Sequence, residues 1–417
     1  MSSVSLSEAQ FVGTDRLLAG IVLSVLTFWL FAQSVINVVP AMKSSLDISL
    51  ETLTLAVSLS ALFSGCFVVA SGGLADKFGR MRMTSLGLIL SIVGSAMLVL
   101  SQGPALVLAG RVLQGLSAAC IMPATLALIK TWYEGKARQR AVSFWVIGSW
   151  GGSGLCSFVG GAIATGLGWR WIFVFSIAVA LAALLLLRGT PESRSASAQQ
   201  HKLDISGLIS LILALVLLNL FISKGHGWGW TSATSLAMLA GALASGLFFI
   251  RSGQRKGDAA LIDFALFRNR AYSAAVLSNF MLNGAIGTMM IASIWLQQGH
   301  HLSPLESGMM TLGYLVTVLA MIRVGEKLLQ RYGARLPMMT GPVFTAVGIL
   351  LISCTFLDKS TYIVTVFFSN VLFGFGLGCY ATPSTDTAVV NAPENKVGVA
   401  SGIYKMGSSL GGAMGIA

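Results

Sequence analysis

Thirteen times in 417 residues the chain runs on with almost no charge for about the length that crosses a bilayer, and this recurrence restricts the fold more than any other feature. A helix needs roughly 20 mostly apolar residues to cross the hydrocarbon core. Only helices and closed barrels satisfy every backbone group there. The first run, Leu17 to Val39, carries no charged residue. Further runs lie at about 53–73, 83–101, 105–130, 141–166 and 171–187. After a polar stretch come 205–223, 233–250, 272–295, 307–322, 337–356 and 361–385, and a thirteenth begins near Val397 and is still running at Ala417. Barrel strands would alternate over about 10 residues, and these runs do not. The sequence predicts an all-α polytopic membrane protein.

Composition removes the alternatives. Only 10% of residues are charged and 55% are hydrophobic, against about 25% charged in soluble proteins. That excludes an ordinary water-soluble enzyme, and it excludes disorder as well. A net charge of +12 would suggest nucleic acid in a soluble domain. The placement of the cations explains it differently. With the N-terminus in the cytoplasm, 21 Lys/Arg fall in the N-terminal segment and the loops on that side, including Lys77, Arg80, Lys136, Arg138, Arg140, Arg255, Lys256, Arg331 and Lys396. Four (Lys43, Arg170, Lys224, Lys359) fall opposite, and Arg111 and Lys405 lie within spans. Cytoplasmic loops of membrane proteins carry this excess. A multi-pass cell-membrane protein with a cytoplasmic N-terminus is expected, with the bilayer and not nucleic acid as its large partner. The first 16 residues lack a basic leader, so the first span is expected to stay as an uncleaved anchor. Cys66, Cys120, Cys156, Cys354 and Cys379 all fall in spans without metal-type spacing and read as packing residues.

Two polar stretches divide the chain. Residues 1–188 hold six spans, 189–204 is a Ser/Gln-rich cytoplasmic linker, and 205–250 holds two additional spans. Residues 251–271 mix charges with Leu261, Ile262, Phe264, Leu266 and Phe267, as a cytoplasmic interfacial segment would, and 272–417 form a second bundle. The second group repeats the first at an offset of 260. Pro123 meets Pro383, Glu134 meets Glu394, Lys136 meets Lys396, Ser149 meets Ser409, and Gly151-Gly152 meets Gly411-Gly412. Near-parallel halves mark transporters that rock one bundle against another. At this offset Ala417 falls opposite mid-helix Ser157, so the chain is expected to stop within span 13, short of a fourteenth.

Three short motifs stand on this framework. Gly72-Gly73-Leu74-Ala75-Asp76-Lys77-Phe78-Gly79-Arg80-Met81-Arg82 lies between spans 2 and 3. Arg111-Val112-Leu113-Gln114-Gly115 lies in span 4, and Gly152, Gly160 and Gly161 lie in span 5. The first two resemble the G-x-L-a-D-r-x-G-r-[kr] and R-x-x-q-G signatures of the major facilitator superfamily, and the third has the spacing of the g-x-x-x-G-P-x-x-G-G motif of its drug antiporters. Cys156 and Ser157 stand where the third has Gly-Pro, which puts its proline kink in doubt here. With the six-two-six spacing, the chain resembles the 14-helix proton-coupled drug antiporters. Runs such as GLSAACIMPATLALIK, IRVGEKLLQ and YATPSTDTAVVNAP look like quinolone-resistance pumps of that branch. The resemblance implies two six-helix bundles plus two helices, working as a monomer. It also implies export of quinolones and other amphipathic drugs in exchange for protons, by alternating access. A transporter of another solute on the same scaffold is the alternative, because fold does not fix substrate.

Each singled-out residue has a functional and a plainer reading. By the resemblance, Asp76 faces the N-terminal end of the helix starting near Val397, Arg80 pairs with it, and Gly72 and Gly79 permit the tight loop: a conformational latch. The plainer role is topological charge. Arg111 inside a span costs several kcal/mol to insert; with Gln114 and Gly115 it reads as a coupling group or as a helix cross-link through carbonyls. A coupling acid should lie in a span, and Asp386 is the deepest candidate, with Glu306 next. Lys405 can snorkel. Trp29, Gln33 and Asn37 form an i, i+4, i+8 stripe, suited with Trp150 to line a cavity or to glue helices. Gly148 and Gly152, continued by Gly160 and Gly161, let two helices approach. No G-x-x-x-x-G-K-[ST] occurs, Gly374, Gly376 and Gly378 fall inside a membrane helix, and His201, His226, His300 and His301 lack ligand spacing. No enzyme, cofactor or metal is expected; the energy source is the proton gradient.

Overall fold

The computed structural model describes residues 11–195, 204–257, 260–262, 264–302, 306 and 309–416. Among these residues there is no strand. The helices are α1 (Asp15–Leu26), α2 (Val35–Leu46), α3 (Leu50–Phe78), α4 (Arg80–Val99), α5 (Pro104–Trp132), α6 (Gly135–Val146), α7 (Gly152–Gly166) and α8 (Arg170–Leu187). They continue as α9 (Ile205–Trp228), α10 (Ala233–Lys256), α11 (Arg270–Gln298), α12 (Leu312–Tyr332), α13 (Arg335–Ile352), α14 (Lys359–Val390) and α15 (Val397–Ile416). Each expected span falls on helix. Two are interrupted: π-helical turns at Thr27–Ala32 and Ile147–Gly151 follow α1 and α6. Nine described helices are long and apolar enough to cross a membrane, ten with the bent span Gly135–Gly166. Of the expected thirteen, α12 and α15 fall short of that composition, and the count covers the described residues only. Arg323, Glu326, Lys327 and Arg331 crowd the second half of α12, while glycine and serine dilute α15.

Caps fix where several helices begin. The side chains of Thr14, Ser49, Asp204, Ser232, Asn269 and Asp358 each accept from an amide of the first turn that follows, satisfying donors that a helix start leaves open. The chain divides into two compact units, Met1–Lys202 with Ala392–Gly402 and Leu203–Asn391 with Ile403–Ala417.

In the first unit α5 is the most buried span, packed against α3 and α4. Near its N-terminal end Val107, Leu98, Ile172, Phe173, Leu53 and Met42 form one apolar core. In the second unit α14 plays the same part against α12 and α13. The two share a device at the repeat offset. Thr125 of α5 accepts from Trp145 Nε1 at 2.9 Å, and Thr385 of α14 bonds the Tyr404 hydroxyl at 3.2 Å. The additional helices α9 and α10 pack chiefly on each other. The following segment folds back onto them, with Phe264 against Phe249 and Leu261 N–H donating to the Asp204 carboxylate at 3.2 Å.

Candidate functional site

Helix α3 ends at Phe78 because Gly79 takes φ +123, a conformation that costs other residues but not glycine. Helix α4 starts at the next residue. This turn leaves Asp76 in the last turn of α3 and Arg80 at the head of α4, with Arg80 Nη2 3.2 Å from Asp76 Oδ1. Asp76 is only 1% exposed. Its carboxylate accepts from Gly398 N at 3.0 Å and Val399 N at 3.1 Å, two opening amides of α15. An acid at a helix N-terminus meets both open N–H groups and the positive end of the helix dipole. One turn earlier Gly72 faces Gly398, and a Cβ at Gly72 would collide with the Gly398 carbonyl. Arg80 reaches further, Nη2 donating to Glu394 O at 2.9 Å and Nη1 to Thr131 Oγ1. Beside Thr131, Lys130 Nζ donates to Ala392 O. The first unit therefore holds 392–399 by its main chain.

A residue that sequence reasoning missed completes the turn. Glu192, in the expected linker, accepts from Met81 N and Arg82 N at 2.9 Å each and so caps α4. The carboxylate lies where a Cβ on Gly79 would go. Main-chain bonds frame it, Arg80 N to Ser193 O at 2.9 Å and Ser195 N to Asp76 O at 2.8 Å. Residues 191–195 are thus fastened to the α3–α4 turn. The only sequence signal was an acid among small polar residues directly after a span.

Arg111 is fully buried, and its guanidinium is met by neutral groups from three elements. Nε donates to Ala56 O at 3.2 Å, Nη1 to Ala32 O at 2.7 Å and to Gln114 Oε1 at 2.8 Å, and Nη2 to Ser60 Oγ at 2.5 Å. Gln114 Nε2 passes the network to Ser95 Oγ at 3.2 Å. Gly115 allows the approach, since a Cβ there would stand 2.5 Å from Ser60 O. This is the helix cross-link of the plainer reading, and no carboxylate is among these partners. Asp386 is 4% exposed within α14, whereas Glu306 is exposed. The two expected coupling acids therefore differ in burial. Lys405, expected to snorkel, is instead buried at 9% exposure because its position on α15 faces protein.

Comparison with known proteins sets this geometry in a lineage. A family model described as "Major Facilitator Superfamily" matches residues 17–416. The chain belongs to the major facilitator superfamily. It is 54% identical over 411 residues to the quinolone resistance protein NorB of Staphylococcus aureus strain MRSA252, covering 99% of this chain and 89% of that protein. The NorB of strain JH9 matches with the same figures. Among solved structures, the proton:xylose symporter XylE aligns with a TM-score of 0.66 at 15% identity, over 95% of this chain and 86% of that one. The human organic anion transporter MFSD10 aligns with a TM-score of 0.60 at 17% identity, over 99% and 93%. At such identities these two share the fold alone. As a superfamily member the chain is a multi-pass membrane transporter and not an enzyme.

Three glycines of the 135–166 span pack closely against the first span. A Cβ at Gly152 would stand 3.1 Å from Leu26 and 3.2 Å from Trp29 Cβ; one at Gly148 would stand 3.4 Å from Val22, and one at Gly160 would stand 2.6 Å from Ser34 Cβ. Ser34 Oγ adds a bond to Cys156 O at 2.8 Å. Gly161 does not belong to this seam: a Cβ there would meet nothing, because neighbours on a helix point about 100° apart. The span bends by 49° between Cys156 and Phe158, at the position where the motif carries proline. Trp29 and Trp150 are half-buried on the two π-helical turns, and Gln33 is half-buried just beyond the first. The Asn37 side chain lies outside the described residues, as do those of His201 and His226. His300 packs against Tyr362, ring centroids 5.2 Å apart.

Proposed function

We propose that this protein exports quinolones and related amphipathic drugs across the bacterial cell membrane, exchanging them for protons by alternating access. The observation that carries this reading is the 54% identity to NorB over 99% of the chain. The N-terminus lies in the cytoplasm, which the 21-to-4 division of cations between the two sides supports. The protein works as a monomer.

The Asp76–Arg80 cluster, with Gly72 and Gly79, acts as a latch on the opening turn of α15. While the carboxylate holds Gly398 N and Val399 N, the cytoplasmic side is closed; when α15 withdraws, these bonds break and Asp76 is left facing Arg80. Asp386 is the coupling acid, being buried within a span as such a group must be, and Glu306 is second to it. Arg111, with Gln114 and Gly115, ties the π-helical turn Thr27–Ala32, α3 and α5 into a body that moves as one. Trp29, Gln33, Asn37 and Trp150 line the drug path, offering flat stacking surfaces with neutral hydrogen-bonding groups.

The driving force suffices. One charge crossing about 100 mV releases roughly 2.3 kcal/mol, which sustains a gradient of some tens-fold for a neutral substrate. The test is quinolone accumulation in a bacterium lacking its own pumps, with and without a protonophore. Export predicts low accumulation that rises when the gradient collapses. Accumulation equal to that of the empty host, with the protein verified in the membrane, would move the function to another solute on the same scaffold.

A further inference from the structure

We infer that Lys130 is a second cation of the cytoplasmic latch, a positioning residue that holds the Ala392 carbonyl as Arg80 holds that of Glu394. The inference rests on the latch reading given above. Its basis is where the main-chain groups of 392–399 find partners.

Helix α14 ends at Val390, and Pro393 stops the chain from continuing as helix, since proline has no N–H and its ring clashes with the preceding turn. The Ala392 carbonyl is therefore left outside the helical ladder at a residue only 4% exposed, while Glu394 opens the short 3-10 turn Glu394–Lys396. A buried carbonyl without a donor is costly. The last turn of α5 answers this with two neighbouring residues: Lys130 gives its ammonium to Ala392 O, and Thr131 takes Arg80 Nη1 while Arg80 Nη2 serves Glu394 O. Six residues on, Asp76 accepts from the amides of Gly398 and Val399. Cations thus hold the carbonyl end of the segment and an anion holds its amide end. Lys130 is also placed favourably for its own helix, a positive charge at the negative C-terminal end of α5. The motif that marks the latch in the sequence stops at Arg82, so Lys130 counts there only as one more cytoplasmic cation.

The test measures how often the segment lifts. In a chain whose five native cysteines are changed to alanine, Ala392→Cys supplies one buried thiol, and its rate of reaction with a maleimide is followed in detergent micelles. Lys130→Gln and Lys130→Met are each expected to label about tenfold faster, the size of one lost hydrogen bond to a charged group. Lys130→Arg, which keeps a cation in reach, is expected to stay within about twofold of the parent. Asp76→Asn is expected to speed labelling as well. An unchanged rate in whichever of the Gln and Met chains keeps the parent's melting behaviour overturns the role of Lys130, while a fast Asp76→Asn chain beside it leaves the latch standing. Slow labelling in Asp76→Asn and Lys130 variants alike overturns both.

Discussion

Asp76 shows how much one side chain can be asked to do when its partners are main-chain groups. It takes two amides and one guanidinium donor while almost wholly buried. An amide in its place can accept from one amide well but brings an N–H₂ toward donors. Asp76→Asn is therefore expected to lower drug efflux about tenfold or more at unchanged protein level, from the loss of charge-assisted bonds; transport at the wild-type level would remove the latch. Arg111 makes the opposite prediction. Its donors satisfy two carbonyls, a hydroxyl and an amide oxygen, so Arg111→Ala should destabilise the folded protein by about 3 kcal/mol or more, read as a lowered melting temperature. A variant that kept its melting temperature but lost gradient dependence would make Arg111 a coupling group instead. The Asp76, Arg80, Gly72 and Gly79 set was legible because it is contiguous in sequence. Glu192 and Lys130 were not, because their partners lie 111 and 262 residues away. The partners of Arg111 at Ala32 and Ala56 are carbonyls, which no pattern of side chains records.

Among elements, the turns and caps carry the sharpest expectations. Gly79→Ala would meet both an unfavourable φ and the Glu192 carboxylate, so it should cost more than Glu192→Ala, which removes only the cap and is expected to cost about 0.5–2 kcal/mol; thermal melts of the pair check the order. Asp204 gives a pH dependence. Burial works against its charge, but the Lys256 ammonium at 2.5 Å and the amides of Gly207 and Leu261 outweigh it and hold the carboxyl below its ordinary 3.8. A group lowered by folding stabilises the fold fully above its unfolded value, and that contribution fades as the pH falls through the folded one. Stability of α9 and its following segment should thus be level near neutrality and fall below about pH 3.8; Asp204→Asn should flatten that fall. The spans themselves were legible from apolar run length. The π-helical breaks were not, since TFWLFA and IGSWG read as unbroken apolar stretches and the interruption depends on what packs against them. The 49° bend at position 157 arises without the proline that would have announced it.

For the whole molecule, the recurrence at offset 260 was visible in the letters and returns in the packing, where Thr125 and Thr385 each anchor an aromatic of the next span. The halves differ where charge matters. Arg111 reaches Ala56 O in the first unit, whereas Asn370 donates to Met310 O at 3.0 Å in the second, a neutral residue doing comparable tying work. Orientation is open to direct measurement: with a single cysteine, Lys359→Cys should react with an impermeant reagent in intact cells, and Lys256→Cys only after the membrane is opened. The reverse pattern would invert the topology. The stretch from Ala392 to Val399 has a consequence for lineage. The bonds described above from Asp76, Arg80 and Lys130 to this stretch end on backbone atoms, so this part of the grip recognises a path through space and not a spelling. Descendants can rewrite the side chains at 392, 394 and 399 while the hold survives, and a search that looks there for matching letters will pass over kin that still close in the same way.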